Sequence, residues 1–424
     1  MIGAASRIAV ACAVLLVVIV FSTRRPDAAP STAFELPAPT GRYAVGTTGW
    51  RLVDQSRPET LGAADELRNV EVLAWYPAQA PAVAERAPYL REGVAEVRTF
   101  ATLFRAPESS FDALAAVRTH SEVDAVPAGE PRRFPLLVFS VGFTGIASYA
   151  TALLEDLASH GYVVLNVVHP YEVTAATLAD GRIVTPLDSS GAPRQPIRDV
   201  FAEWAPEDDT MAAVTRASDE DEQRRLTRQF LRTLANTDAV VRRWVADTRL
   251  VLDRLAAMPA TSPAGRLAAR VDLSRLGVFG HSMGGVTAAQ FCVEDRRCRA
   301  GLNLDGIPQY GTMIDAKMAA PFLMVYSARP GRLGASDPIY RRAATRYYRV
   351  DVAGTRHLDF CDMTFWGGPL RDRPVLGEIA PERVTEITRT VVRQYFDQEL
   401  LGRRAPLLAG TRTLPEVAVK RLPR

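Results

Sequence analysis

The string Gly280-His281-Ser282-Met283-Gly284 is a G-x-S-x-G pattern set between an apolar run, 276–279 (LGVF), and a segment of helical composition. A strand-to-helix context makes this a nucleophile elbow, in which glycines relieve crowding and the serine oxygen projects beside a helix N-terminus. The structural alternative is a Gly-rich turn with an incidental serine. A serine hydroxyl is a poor nucleophile near neutral pH, so it needs a base that is itself held by an acid. In this class of site the partners follow in the chain order Ser, acid, His. The sequence has five histidines; His120, His160 and His169 precede the elbow and His281 lies within it. His357, in 354–360 (GTRHLDF), is the one that remains.

The acid is less determined. Asp305 ends the apolar run 300–304, whereas Asp337 lies beyond the following strand, the commoner position. Asp359 is two residues from His357 and would have to fold back sharply. The residues alone divide evenly between Asp305 and Asp337. A tetrahedral intermediate also needs donors for its oxyanion. The backbone N–H of Met283 is one, and the loop 140–145 (SVGFTG) supplies Phe143 N–H as the other. Aromatic Phe360, Phe365 and Trp366 stand near enough to His357 in the chain to line an acyl or alcohol site, although such residues are more often core.

These groups must be positioned by a sheet. Apolar runs at 70–76 and 134–140 read as strands, and 149–160 reads as a helix ended by Gly161 before another strand at 162–168. That is a βαβ unit, which predicts parallel strands. Alternation pauses over 171–235, read as a partly helical, cap-like insertion whose acidic string is a solvated face. It resumes with a helix at 237–258, strands at 276–279, 300–304, 322–326 and 346–352, and a closing helix at 383–400. The expected fold is α/β, one doubly wound, mostly parallel sheet with helical insertions, spanning residues 42–424.

With 51 basic and 48 acidic residues the chain has no focused positive field, so a nucleic-acid partner is not expected. Four cysteines without paired CxxC units, and no HExxH, give no metal site, and no cofactor is expected. Cys292 and Cys298 are close enough in the chain to form a short disulfide after export, the alternative being two buried thiols. Residues 1–25 contain the uncharged apolar run 8–21 after Arg7. This suits a signal peptide, but no A-x-A cleavage site follows, so an uncleaved anchor is the rival reading and gives a route to membrane association. Residues 26–41, rich in Pro and Ala, read as a linker.

Together these pieces resemble the plasma-type platelet-activating factor acetylhydrolase family and its bacterial members. Matching stretches are PTGRYAVGT, WYPA, FPLLVFSVGFTG, LASHGYVVLNVVHPY, GHSMGG, RCRAGLNLDG and GTRHLDF. The resemblance implies an α/β-hydrolase fold and a serine esterase that releases short acyl groups from lipid or other apolar esters without a cofactor. It also implies Asp305 as the acid and Phe143 and Met283 as the oxyanion donors. The family usually has His before the oxyanion-loop Gly, where this chain has Val141. Segments 91–131 and 171–235 match poorly and are expected to shape the pocket. The alternatives are a polyester or cutinase-like hydrolase, which shares the elbow but uses the later acid, and a non-catalytic, membrane-tethered binding protein on a hydrolase scaffold.

Overall fold

The computed structural model describes residues 31–80, 85–307, 313–371 and 373–422. The leader expected over residues 1–25 lies outside them. In chain order the strands are β1 (Ala44–Pro58), β2 (Leu67–Ala78), β3 (Arg86–Pro88), β4 (Arg118–Val123), β5 (Phe134–Ser140) and β6 (Val163–Val168). A two-stranded ribbon of β7 (Ala176–Thr177) and β8 (Ile183–Val184) comes next. The rest are β9 (Val271–His281), β10 (Cys298–Leu304), β11 (Phe322–Ser327), β12 (Tyr347–Val352) and β13 (Val417–Arg421). Eleven strands form one sheet in the order β13-β12-β11-β10-β9-β5-β6-β2-β1-β4-β3.

From β6 to β12 the neighbouring strands are parallel, and β2 and β13 flank that block antiparallel. The central strands β5, β6 and β11 read as mostly apolar runs because both of their faces are covered. Along β5, Leu136 and Val138 enter one core cluster while Leu137 and Phe139 enter the other, the two-residue period of a pleated strand. Helices Ala235–Leu255 and Met283–Glu294 cover the first face. Thr151–Ser159 and Pro381–Leu401 cover the second. The last helix begins with Pro381 in its first turn and stops at left-handed Gly402, an asymmetry that suits the unpaired N–H and C=O groups at helix ends.

The insertion at 171–235, expected to be partly helical, contains helices Gln195–Glu203, Glu207–Arg216 and Glu220–Leu231. Its acidic string supplies a helix cap, since the Asp219 carboxylate accepts the Glu222 N–H at 2.8 Å. Segment 91–131 adds β4 beside β1 near one end of the sheet. Its Val97, Phe100, Phe111 and Leu114 are buried in the second core. Residues 31–40 have no regular structure and lie on the domain: Leu36 is buried and the Phe34 ring stacks on Phe365. Among the described residues no helix is long and apolar enough to cross a membrane.

Candidate active site

Ser282 sits between β9 and the helix Met283–Glu294 with φ 55° and ψ −125°. Its carbonyl already accepts the Gly285 N–H at 3.0 Å, and its own N–H donates to the Leu304 carbonyl at 2.9 Å. The turn closes only because glycine stands at two approaches. A Cβ on Gly284 would lie 2.0 Å from the Ser140 carbonyl oxygen, and one on Gly142 would lie 3.1 Å from the Ser282 Cβ. The loop after β5 is therefore packed directly against the serine. Thr144 and Asp305 also have positive φ, each 56°. Non-glycine residues pay for that conformation, and three of them cluster at the carboxyl ends of β5, β9 and β10.

His357 follows β12 and opens the short turn His357–Phe360. Its Nδ1 is 2.8 Å from Asp305 Oδ2, although 52 residues separate the two in the chain. Asp305 is held in turn by Ser327 at the end of β11, whose N–H donates to Oδ1 at 2.7 Å and whose hydroxyl donates to Oδ2 at 2.9 Å. Burial opposes a charge on Asp305, but the His357 and Ser327 bonds prevail and hold the carboxyl below its usual range. The other two acids are committed elsewhere. Asp337 accepts the hydroxyls of Tyr326 and Tyr347 and pairs with Arg349. Asp359 accepts the backbone N–H groups of Arg356 and Gly377.

In the loop after β5, Gly142 N–H donates to the Tyr149 hydroxyl, Thr144 N–H to the Glu172 carbonyl and Gly145 N–H to the Gly142 carbonyl. Among the described residues Phe143 N–H has no such partner, nor has Met283 N–H in the first helical turn. An N–H without a partner of this kind is what an oxyanion donor requires. His281 is tied to two loops: Nδ1 is 2.7 Å from the Tyr149 hydroxyl and Nε2 is 2.8 Å from the His357 carbonyl. Its ring centroid is 4.6 Å from that of His357, which places the imidazole of His357 beside the elbow.

Of the aromatic side chains expected to line an acyl or alcohol site, Phe360 and Trp366 are core and Phe365 is half-buried. Trp366 packs against Phe100 and Phe111 and donates towards the Tyr89 hydroxyl, Phe360 is buried, and Phe365 stacks on Phe34. The apolar surfaces of Phe100 and Phe111 draw Trp366 inward. Another aromatic group adjoins the site: Phe143 meets Phe201 and Trp204 of the insertion edge-on, with centroids 5.7 and 5.6 Å away. Sequence reasoning missed these contacts, as it missed Ser327 and Tyr149. Only Ser327 leaves a local signal, a polar residue ending an apolar strand. Cys292 and Cys298 are joined in a disulfide, with Cα atoms 5.1 Å apart. Among the described residues no group of three or more His, Cys, Asp or Glu side chains is placed to hold a metal ion.

A strained serine at a strand-to-helix turn, an imidazole–carboxylate pair at the same carboxyl end of the sheet and a parallel sheet covered on both faces define an α/β-hydrolase. Within that class the chain belongs to the family described as platelet-activating factor acetylhydrolase, isoform II, whose model matches residues 28–401. It is 26% identical to platelet-activating factor acetylhydrolase of Cavia porcellus over 288 residues, 64% of this chain and 59% of that one. It is 23% identical to the Gallus gallus protein of the same name over 285 residues, 63% of this chain and 62% of that one. The chain thus spans less than two thirds of the length of these relatives. It also resembles the solved ferulic acid esterase from Streptomyces cinnamoneus, at 30% identity and a TM-score of 0.67, covering 92% of this chain and all of that one.

Proposed function

We propose that this chain is an exported serine ester hydrolase that releases short acyl groups from lipid or other apolar esters. The observation that carries the reading is the 2.8 Å contact between His357 and Asp305 beside a strained serine. Ser282 Oγ attacks the ester carbonyl, and His357 takes its proton and returns it to the leaving alcohol. Asp305 keeps the proton of His357 on Nδ1 and stabilises the imidazolium. Phe143 and Met283 N–H groups receive the oxyanion, and water activated by His357 then frees the acid. No metal or cofactor enters this scheme.

Family membership supports the acetyl-lipid substrate class. The disulfide supports an oxidising compartment, and residues 1–25 supply the export signal or the membrane anchor. The insertion at 171–235 acts as a cap over the acyl side. One observation favours a second substrate class, aromatic acyl esters: the Phe143, Phe201 and Trp204 group beside the oxyanion loop, together with the likeness to a ferulic acid esterase.

The test is hydrolysis of p-nitrophenyl acetate and labelling by a fluorophosphonate, with Ser282→Ala alongside. Activity and labelling that vanish in the variant support the reading; protein that neither hydrolyses nor labels at Ser282 overturns it. A panel of acetyl-phospholipid, long-chain phospholipid, aliphatic polyester and methyl ferulate then separates the substrate classes.

A further inference from the structure

We propose that Tyr149 and His281 are positioning residues, forming a strut that holds the oxyanion loop and the His357 loop at one spacing around Ser282. The inference rests on the proposed hydrolase function. The strut is a chain of three hydrogen bonds: Gly142 N–H to the Tyr149 hydroxyl at 2.6 Å, that hydroxyl to His281 Nδ1 at 2.7 Å, and His281 Nε2 to the His357 carbonyl at 2.8 Å. Its ends are backbone groups of the site itself. Gly142 immediately precedes the Phe143 donor, and the far carbonyl belongs to His357.

Only one arrangement of protons satisfies every link. A carbonyl accepts and never donates, so His281 Nε2 carries the ring proton. Nδ1 is then an acceptor and must receive the tyrosine proton. The tyrosine oxygen in turn accepts the Gly142 N–H. All four groups are paired with a neutral imidazole, whereas a charged one would set Nδ1–H against a hydroxyl whose own proton has lost its acceptor. Burial, and then the nearby charge that His357 takes on, push His281 down to about 3. It therefore stays neutral while its neighbour takes a proton, and it does not compete as a base.

The strut joins the carboxyl ends of three different strands, with Gly142 after β5, His281 closing β9 and His357 after β12. Tyr149 is itself anchored, because its carbonyl accepts the Asp362 N–H at 2.6 Å and its side chain is fully buried. Removing its hydroxyl leaves the ring in place but frees Gly142 N–H and His281 Nδ1 from their shared partner. Displacements of about 1 Å in such a site cost on the order of 100-fold in rate.

The experiment compares full-length wild type with Tyr149→Phe, His281→Gln, His281→Leu and Ser282→Ala, measuring kcat and KM for p-nitrophenyl acetate, the fluorophosphonate labelling rate and Tm. The expected result for Tyr149→Phe is a folded protein with kcat and labelling rate lowered by about 10- to 100-fold and KM changed less than about threefold. His281→Gln, whose amide can still donate to the His357 carbonyl, should keep at least about fivefold more activity than His281→Leu. A Tyr149→Phe enzyme with wild-type kcat, or with only KM altered, overturns the proposal. If Tyr149→Phe does not fold, the two His281 variants decide, and equal activity in them overturns it. Wild type no faster than Ser282→Ala defeats the hydrolase reading and this inference with it, an outcome distinct from an active wild type matched by Tyr149→Phe.

Discussion

Asp305→Asn changes one atom at the residue that faces both His357 and Ser327, and the geometry fixes the consequence. If the amide oxygen keeps the Ser327 N–H at 2.7 Å, the new NH2 occupies the position of Oδ2, 2.8 Å from His357 Nδ1. It then donates to Nδ1 and drives the ring proton to Nε2, where the lone pair is needed to deprotonate Ser282. Flipping the amide restores the His357 contact but sets NH2 against the Ser327 N–H, leaving a buried donor unpaired at about 1–3 kcal/mol. With the carboxylate charge also gone, kcat for p-nitrophenyl acetate should fall by about 10³- to 10⁴-fold, or about 4–5.5 kcal/mol in the barrier. Asp337→Asn, paired with Tyr326, Tyr347 and Arg349 instead, should retain activity within about tenfold. The reasoning is refuted if Asp305→Asn stays within about tenfold of wild type while Asp337→Asn loses activity. Stability gives an independent check. The Asp305 carboxyl is held low in the folded protein, so its stabilisation is fully present above the unfolded value of about 3.9 and is lost as pH falls through the folded value. Wild type should therefore exceed Asp305→Asn in urea midpoint at about pH 6, with the gap closing at the acid end.

Other substitutions test the surrounding architecture. Asp247 accepts from Arg57, Arg68 and His169 inside the protein, so Asp247→Ala leaves Arg68 buried with less countercharge and should cost about 3–5 kcal/mol by urea unfolding; a loss below about 1 kcal/mol would mean that the cluster relaxes or hydrates. Gly284→Ala brings a methyl group onto the Ser140 carbonyl and should abolish fluorophosphonate labelling, while Gly129→Ala, where a Cβ meets nothing, should leave it unchanged. Replacing Cys292 and Cys298 by Ser opens a loop with a sequence separation of 6 and should lower stability by about 2 kcal/mol, read as a Tm that no longer responds to reductant.

The Ser282 elbow was legible because it is local. A strand, a glycine-rich turn and a helix are contiguous in the chain, and the steric demand at Gly284 is met by neighbours drawn from the adjacent β5. His357 was singled out by count, and its pairing with Asp305 came only from the fold. The central strands were legible too, since burial on both faces leaves a mostly apolar run in β5, β6, β10 and β11. Long and partly exposed β1 and the edge strand β13 were not, because their apolar residues are diluted by polar ones facing solvent.

What the sequence determined by itself, then, is the parallel sheet, the glycine-flanked serine turn and the pool of acids. Each is set by short-range pattern, or by how few residues of a type exist. Tertiary structure decided which carboxylate meets His357, because two positions 52 residues apart become neighbours only when β10 and β12 are placed in one sheet. It also turned Trp366 into the core and brought Phe201 and Trp204 of the insertion to Phe143, choices made by complementary apolar surface. The hydrogen bonds through Tyr149 and His281 were decided there as well, since their partners come from three separate strand ends and no spacing along the chain records that meeting.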